Sequence, residues 1–229
     1  MSQRIQIVVD ESVSGGEIQT LEAFCTDLAS FLDEPIGLAQ TGAGNLKFIR
    51  ATLGATRGFR YQAVIKPRPP VSAAPMSAAP FIWKEDGRPD WAAMWTGFCE
   101  LALYGGPPHR GEESALHAPE EPVEAKSDSE SIIEIRRGIY ETTGLFAELD
   151  EPGWIAVTCQ SRKMAAWLCA TIVLENVDAR FEEERLFLPA SPDFELKDQV
   201  KSVVTVLAKT NHYWQAHIAT QEQAALATG

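Results

Sequence analysis

The sequence predicts an α/β or α+β fold in two lobes with a similar β-α-β-α order. Three observations support this. Short apolar runs typical of strands alternate with helical patterns in both halves of the chain. The 229 residues are 45% hydrophobic and 23% charged, which suits a protein that buries a full core. Between the halves, residues 119–130 are acidic and almost free of apolar side chains, as linkers are.

We therefore expect an N-terminal lobe over 1–118, an acidic linker over 119–130, and a C-terminal lobe over 131–229. The C-terminal lobe reads strand, helix, strand, helix, which predicts a βαβ crossover. The shared order of the two lobes predicts a pseudo-duplication. No residue-level repeat accompanies it, so the duplication rests on element order alone.

The N-terminal half begins with a predicted strand and helix. Residues 5–9 form a short apolar run typical of a strand. Over 18–32, apolar residues recur at intervals of three and four, which predicts one helix face, and Pro35 and Gly37 are expected to end that helix. Alternation over 59–65 predicts a second strand with one apolar face.

Further elements follow in the same lobe. A short helix is predicted over 46–53, and a Pro/Ala-rich loop over 67–80. Asp90 is the expected N-cap of a helix over 91–103, whose apolar residues follow helical spacing. Two glycines and two prolines at 105–108 stop that helix.

The C-terminal half opens on a predicted helix. Ser131 and Glu134 match a capping box, and Gly144 is the natural residue to end the helix. Residues 154–159 predict a strand, and Ser161 is the expected N-cap of the helix that follows it.

The remaining elements of this half are a buried helix, a strand and a last helix. The stretch 164–174 is almost wholly apolar and predicts a buried helix. Residues 180–189 contain a second strand, strongest at 186–188. Asp193 is expected to start the last helix, although the β-branched residues of 203–206 also suit a strand.

Charge and hydropathy exclude two classes of partner. The chain carries a formal net charge of −12, and residues 111–130 hold seven acids and one base. A negative protein without a Lys/Arg-rich run is repelled by phosphate backbones, so we expect no nucleic-acid partner. The longest apolar stretch, 164–174, is about half the ~20 residues that a bilayer span needs, so no membrane partner is expected.

The cysteines indicate a reducing compartment. None of the four has CxxC spacing, and all fall in apolar patterns, so we expect buried free thiols. The N-terminus shows no charged leader followed by an apolar segment, which argues against a secretory signal. We therefore expect a cytoplasmic protein.

The most unusual local sequence is Gly-Gly-Pro-Pro-His-Arg-Gly at 105–111. One interpretation is a rigid turn that presents His109 and Arg110 to a cleft, His109 as acid, base or ligand and Arg110 as a planar fork for carboxylate or phosphate. The alternative is a helix stop followed by two surface residues. Because a helix C-terminus is negative, an anion here would depend on Arg110.

A second candidate lies at the junction between the strand at 154–159 and the following helix. Free N–H groups after Ser161, together with Arg162 and Lys163, would suit an anion. The alternative is a helix cap with two solvated cations. The chain has neither a GxGxxG nor a GxxxxGK[ST] sequence, so nucleotide binding has no motif support.

Other polar residues carry weaker hypotheses. Arg136, on the helix that precedes Gly144, could line a cleft or face solvent. His212 and His217 fall about 140° apart on a helix, so a shared metal would need a partner such as His109 or Cys99. We predict no metal site, and the sequence indicates no particular cofactor.

These observations favour a soluble protein that binds a small polar or anionic metabolite, as an enzyme or a binding protein. His109 would carry the proton and Arg110 would hold the anion, with Ser161, Arg162 and Arg136 as further ligand-binding residues. The alternative is a non-catalytic assembly subunit, either a homo-oligomer or part of a complex with another protein. It would use the acidic linker and an aromatic set that includes Trp91, Trp95 and Trp214.

Overall fold

The structure, a computed structural model, describes residues 5–9, 36–40, 61–64, 80–99, 108–119 and 129–228, with Gln19, Glu22, Ala23, Cys25, Thr26 and Ala29. The elements in chain order are β1 (Ile5–Val9), β2 (Ile36–Gln40), β3 (Tyr61–Val64), α1 (Trp91–Cys99), a 3-10 turn (Glu112–Ser114), α2 (Glu130–Thr143), β4 (Ala147–Leu149), β5 (Trp154–Thr158), α3 (Arg162–Leu174), β6 (Arg180–Glu182), β7 (Arg185–Pro189), a π-helical turn (Leu196–Val200) and α4 (Lys201–Thr228).

The strands form one sheet with the order β2-β1-β3-β6-β7-β5-β4. Among the described strands, β1 and β2 pair in parallel and all other neighbours pair antiparallel. The α+β class is therefore confirmed. Because β3 pairs with β6, strands from both sides of the predicted linker share this sheet. The division into two lobes and the pseudo-duplication remain predictions.

The segment 180–189 forms a hairpin, where a single strand was predicted. Arg180 pairs with Phe187 and Glu182 with Arg185, and Glu183 in the tight turn has φ 50°. β6 lacks the apolar run of β7, so its pattern gave no strand signal. Since β7 runs antiparallel to both β5 and β6, β5 and β6 are parallel to each other. Helix α3 connects them in a crossover, with β7 inserted between.

Helix α3 lies at the centre of the core. It packs against β1, β3, β6 and β7 on one side and against α4 on the other. Every residue from Met164 to Leu174 is buried, so the predicted buried helix is confirmed. Helix α4 also packs against α2, and α2 against α1, which extends the helical layer.

Three predicted helix caps are confirmed by their hydrogen bonds. The Ala93 N–H donates to Oδ1 of Asp90 over 2.9 Å, at the start of α1. The Met164 N–H donates to Oγ of Ser161 over 3.2 Å, at the start of α3. Gly144 ends α2 with φ 74°, a left-handed conformation that favours glycine. These caps depend on neighbours in sequence, which is why the sequence predicts them.

The capping box at Ser131 is wrong. Helix α2 begins at Glu130 after Ser129, whose side chain makes no capping bond. Ser131 is buried inside the helix, and its hydroxyl donates to the carbonyl of Ser191 over 2.8 Å. Glu134 is also buried and accepts the indole N–H of Trp91 over 3.2 Å. Both side chains bond to distant elements, so neither is free to cap the helix.

Besides β6, two more strands were missed, and one helix starts later than predicted. Gly37 was expected to end a helix but lies in β2. No strand was predicted where β4 forms. The last helix begins with the π-turn at Leu196–Val200 and not at Asp193, and its β-branched residues are helical. The predicted helix over 46–53, most of the loop over 67–80 and most of the linker over 119–130 lie outside the described residues.

Candidate functional site

His109 is part of the segment 108–119. It is fully buried against the C-terminal end of α3 and the first turns of α4. Its backbone N–H donates to Oε2 of Glu175 over 2.5 Å. Its ring Nε2 lies 3.1 Å from Oγ1 of Thr205 on α4. The imidazole is therefore an interior group, and the interpretation of His109 as a surface residue is wrong. The preceding residues 100–107, with most of the Gly-Pro turn, lie outside the described residues.

The hydrogen bonds of Thr205 set the tautomer of His109. A hydroxyl has one proton, and Thr205 donates it to the carbonyl of Lys201 over 2.7 Å. Thr205 must then accept from His109, so the imidazole is protonated at Nε2. The Nδ1 atom consequently carries a lone pair. It is buried and has no hydrogen-bond partner among the described residues.

Burial and neighbouring cations hold the pKa of His109 well below its usual 6.5. Loss of solvent is the largest cause, and the positive charges of Lys209, Arg110 and Lys201 act in the same direction. The imidazole is neutral near pH 7. In that state Nδ1 can accept a hydrogen bond but cannot donate one.

A buried ion pair supports the backbone of His109. Nζ of Lys209 lies 2.6 Å from Oε2 of Glu175, the same oxygen that accepts the His109 N–H. The neighbouring Asn176 has φ 59° and donates from Nδ2 to the carbonyl of Arg110 over 2.7 Å. Its Oδ1 is buried and unpartnered within the described residues. The end of α3 therefore positions both 109 and 110.

Arg110 connects this cluster to the surface. Its Nη1 donates to Oδ1 of Asp198 over 2.6 Å and to Oγ of Ser202 over 2.7 Å, and its Nε donates to the carbonyl of Ser114. Nη2 makes no hydrogen bond to any described residue. The Arg110 side chain is 11% exposed and that of Asp198 44%, so the cluster meets solvent here. Asp198 belongs to the π-helical turn, a feature frequent at functional sites.

The polar partners on α4 form a stripe that the sequence analysis missed. Ser202, Thr205 and Lys209 follow helical spacing on one face, and Asp198 lies one turn earlier. The sequence could have predicted this polar face, since the four residues recur at intervals of three and four. The apolar residues of the same helix gave the stronger pattern. Glu175 carried no such signal.

The cluster combines charged side chains of both signs with a buried acceptor. The cations Arg110, Lys201 and Lys209 lie near His109, against the carboxylates Glu175 and Asp198. In the described part of the chain, three cations and two carboxylates thus lie together, whereas the whole chain has a formal net charge of −12. The arrangement can donate hydrogen bonds to an anion from Arg110 and accept one at Nδ1 of His109.

The other predicted ligand-binding residues lie elsewhere. Ser161 and Arg162 begin α3, whereas Glu175 follows its last residue, so the length of a 13-residue helix, roughly 20 Å, separates them. The side chain of Ser161 caps the helix. Arg136 is exposed on α2 and donates from Nε to the carbonyl of Ala147 over 3.0 Å. The structure therefore brings together only His109 and Arg110 of the predicted set.

The histidines of α4 point in different directions, as their spacing predicts. His212 is exposed, and its ring lies 6.0 Å from that of Trp95. His217 is buried and stacks on Trp167, with 5.5 Å between ring centroids. The side chain of Cys99 lies outside the described residues. Within the described ranges, no group of three or more His, Cys, Asp or Glu side chains could hold a metal ion.

The predicted aromatic set belongs largely to the core. Trp91 and Trp214 are buried, and Trp95 is partly buried against the core. Among the described residues, Tyr140 and Phe146 are both exposed, and their rings lie 5.1 Å apart beside the edge strand β4.

Comparison with known proteins identifies no relative. No protein-family model matches the chain, and no curated protein or solved structure shows significant similarity to it. None of the helices in the described part of the chain has the length and hydropathy that a membrane span requires.

Proposed function

We propose that this chain binds a small polar or anionic metabolite at the polar cluster around His109 and Arg110. The observation that carries the proposal is Nδ1 of His109, a fully buried acceptor without a donor in the described part of the chain. A buried polar atom without a partner costs about 1–3 kcal/mol, and native proteins keep few of them. A ligand that donates a hydrogen bond to Nδ1 would remove this cost.

The surrounding charges favour an anion. Arg110 reaches solvent with Nη2 unused by any described residue, and Lys201 and Lys209 add positive charge behind it. Arginine is suited to carboxylate and phosphate because its donors form a planar fork. Within this proposal, Arg110 binds the anion, and Nδ1 of His109 accepts a hydrogen bond from a neighbouring group of the same ligand. Should the bound molecule react, Nδ1 is the atom that would take its proton.

We further propose a cytoplasmic location. Cys25 and Cys159 are buried free thiols, which suits a reducing compartment. Burial raises the pKa of the Cys159 thiol to about 12, so this residue stays protonated and unreactive.

The proposal is tested by a thermal-shift screen with carboxylates, phosphates and amino acids. The decisive variant is His109→Gln, because the amide can replace the Nε2 donor but supplies no acceptor at the Nδ1 position. His212→Gln is the matched control, since it changes an exposed histidine of α4. A ligand should raise the melting temperature of the wild type and of the control, and not that of His109→Gln. Equal shifts in all three proteins, or no shift with any compound, would contradict the proposal.

A second candidate function is a non-catalytic interaction subunit. The observation that favours it is the pair Tyr140 and Phe146, which are 53% and 68% exposed beside the edge strand β4. Exposed aromatic patches and open sheet edges both serve as contact surfaces. Light scattering after size exclusion tests this function. A wild-type protein that elutes as a monomer, and whose mass Phe146→Ser leaves unchanged, would rule out self-assembly through this pair.

A further inference from the structure

We propose that Arg110 is a carboxylate-binding site occupied by the chain's own Asp198, and that the metabolite is a small hydroxy acid or amino acid whose carboxylate displaces Asp198. This inference rests on the proposed function. It adds the class of ligand and an internal competitor for the same guanidinium.

The Arg110–Asp198 contact uses only part of the guanidinium. The Asp198 carboxylate accepts from Nη1 alone, through Oδ1. Nη2 makes no hydrogen bond to a described residue, although arginine and carboxylate groups frequently pair through two parallel bonds. A free carboxylate that accepts from both Nη1 and Nη2 would therefore form the fuller contact. The bonds from Arg110 to Ser114 and Ser202 would hold the guanidinium in place during the exchange.

Asp198 can leave this contact at little cost. Its side chain is 44% exposed, so water can solvate the released carboxylate. Partly exposed ion pairs contribute only about 0–1 kcal/mol. Glu175 offers a contrast, because it is buried with Lys209 and its release would leave an unpaired charge in the interior. The cluster thus has one fixed carboxylate and one exchangeable carboxylate.

The position of His109 argues for a donor group next to the ligand carboxylate. His109 and Arg110 are adjacent, and their partners Thr205 and Ser202 lie three residues apart on α4, with Cβ atoms about 5–6 Å apart. These bonds locate Nε2 of His109 and Nη1 of Arg110. In our inference, one small molecule extends from Arg110 to the Nδ1 side of the same imidazole ring. A carboxylate alone offers Nδ1 no hydrogen, whereas a neighbouring hydroxyl or ammonium group does. This chemistry selects hydroxy acids and amino acids over simple carboxylates.

NMR titration with two matched probes tests the inference. Glycolate has a carboxylate and a hydroxyl, and acetate has the carboxylate only. The proteins are the wild type, Asp198→Asn, Asp198→Ala, His109→Gln and the control Asp193→Asn, which removes the same charge from an exposed aspartate nearby. Loss of the competitor should strengthen glycolate binding about 3- to 5-fold in both Asp198 variants, the equivalent of up to ~1 kcal/mol. Asp193→Asn should change it less than 2-fold, because solvent and salt screen the charge of an exposed carboxylate that does not contact Arg110.

The preference for glycolate over acetate should disappear in His109→Gln. Equal or weaker glycolate binding in both Asp198 variants, with binding by the wild type intact, would overturn the displacement and leave the proposed function standing. Absence of glycolate binding in every protein would overturn the ligand class. The proposed function would then fail only if the thermal-shift screen also found no ligand that depends on His109.

Discussion

The hydroxyl of Thr205 lies 3.1 Å from Nε2 of His109 and donates its own proton to the carbonyl of Lys201. Thr205 can therefore only accept from the imidazole, which leaves Nδ1 as a buried lone pair. Thr205 and His109 are separated by 96 residues in sequence. The chemical state of the histidine is thus set by a residue on a different element.

The first prediction concerns this tautomer. Two-bond ¹H–¹⁵N spectra at pH 7.5 should show His109 neutral and protonated at Nε2. In Thr205→Val, which keeps the side-chain shape, the buried N–H loses its acceptor, and the protein should lose about 1–3 kcal/mol of stability. A wild-type spectrum with the proton on Nδ1 would contradict the assignment.

The second prediction is a loss of stability in mild acid. Burial and the nearby cations lower the pKa of His109 in the folded protein, whereas the unfolded chain takes up a proton near pH 6.5. The contribution of neutral His109 to the free energy of unfolding is therefore fully present above pH 6.5. It decreases as the pH falls below 6.5. The expected loss is up to about 1.4 kcal/mol per pH unit from this group.

Urea unfolding between pH 7.5 and pH 5.5 measures this loss. His109→Gln should show a shallower decline than the wild type, because the glutamine does not titrate. His212→Gln, which changes an exposed histidine, should keep the wild-type slope. Equal slopes in all three proteins would contradict the prediction.

The third prediction concerns the buried pair of Lys209 and Glu175. Lys209→Met should destabilise the protein by about 3–5 kcal/mol, because it leaves the carboxylate buried without its cation. Adding Glu175→Gln should recover much of this loss, since the amide oxygen still accepts from His109 and carries no charge. Chemical denaturation of the single and double variants gives the coupling energy. A double variant no more stable than Lys209→Met would show that the charge is not the cause.

The fourth prediction concerns the contact between α2 and α4. A Cβ added at Gly138 would lie 2.7 Å from a methyl group of Val204 and 3.1 Å from the ring of Trp91. Gly138→Ala should therefore destabilise the protein by about 1 kcal/mol, since overpacking costs about 1–3 kcal/mol and better helix propensity offsets up to ~1 kcal/mol of it.

Melting temperatures of the single and double variants measure this effect. In the background of Val204→Ala, which removes both clashing methyl groups, Gly138→Ala should be neutral or stabilising. A destabilisation of the same size in both backgrounds would show that Val204 is not the obstacle.

The sequence alone predicted the elements whose signals are local. The caps at Asp90, Ser161 and Gly144 and the buried helix over 164–174 depend on residues a few positions apart. The polar strand β6 was missed because its pattern resembles a turn. The capping box at Ser131 was wrong because a partner 60 residues away takes its hydroxyl.

The sequence also singled out His109 and Arg110, from an unusual run of glycine and proline followed by two polar residues. Only the tertiary structure decided what surrounds them. Glu175 lies 66 residues from His109, and Asp198 lies 88 residues from Arg110. No local pattern encodes such pairs, because they form when packing of the whole core sets the end of α3 against the start of α4. Burial, tautomer and charge balance of the site follow from that packing.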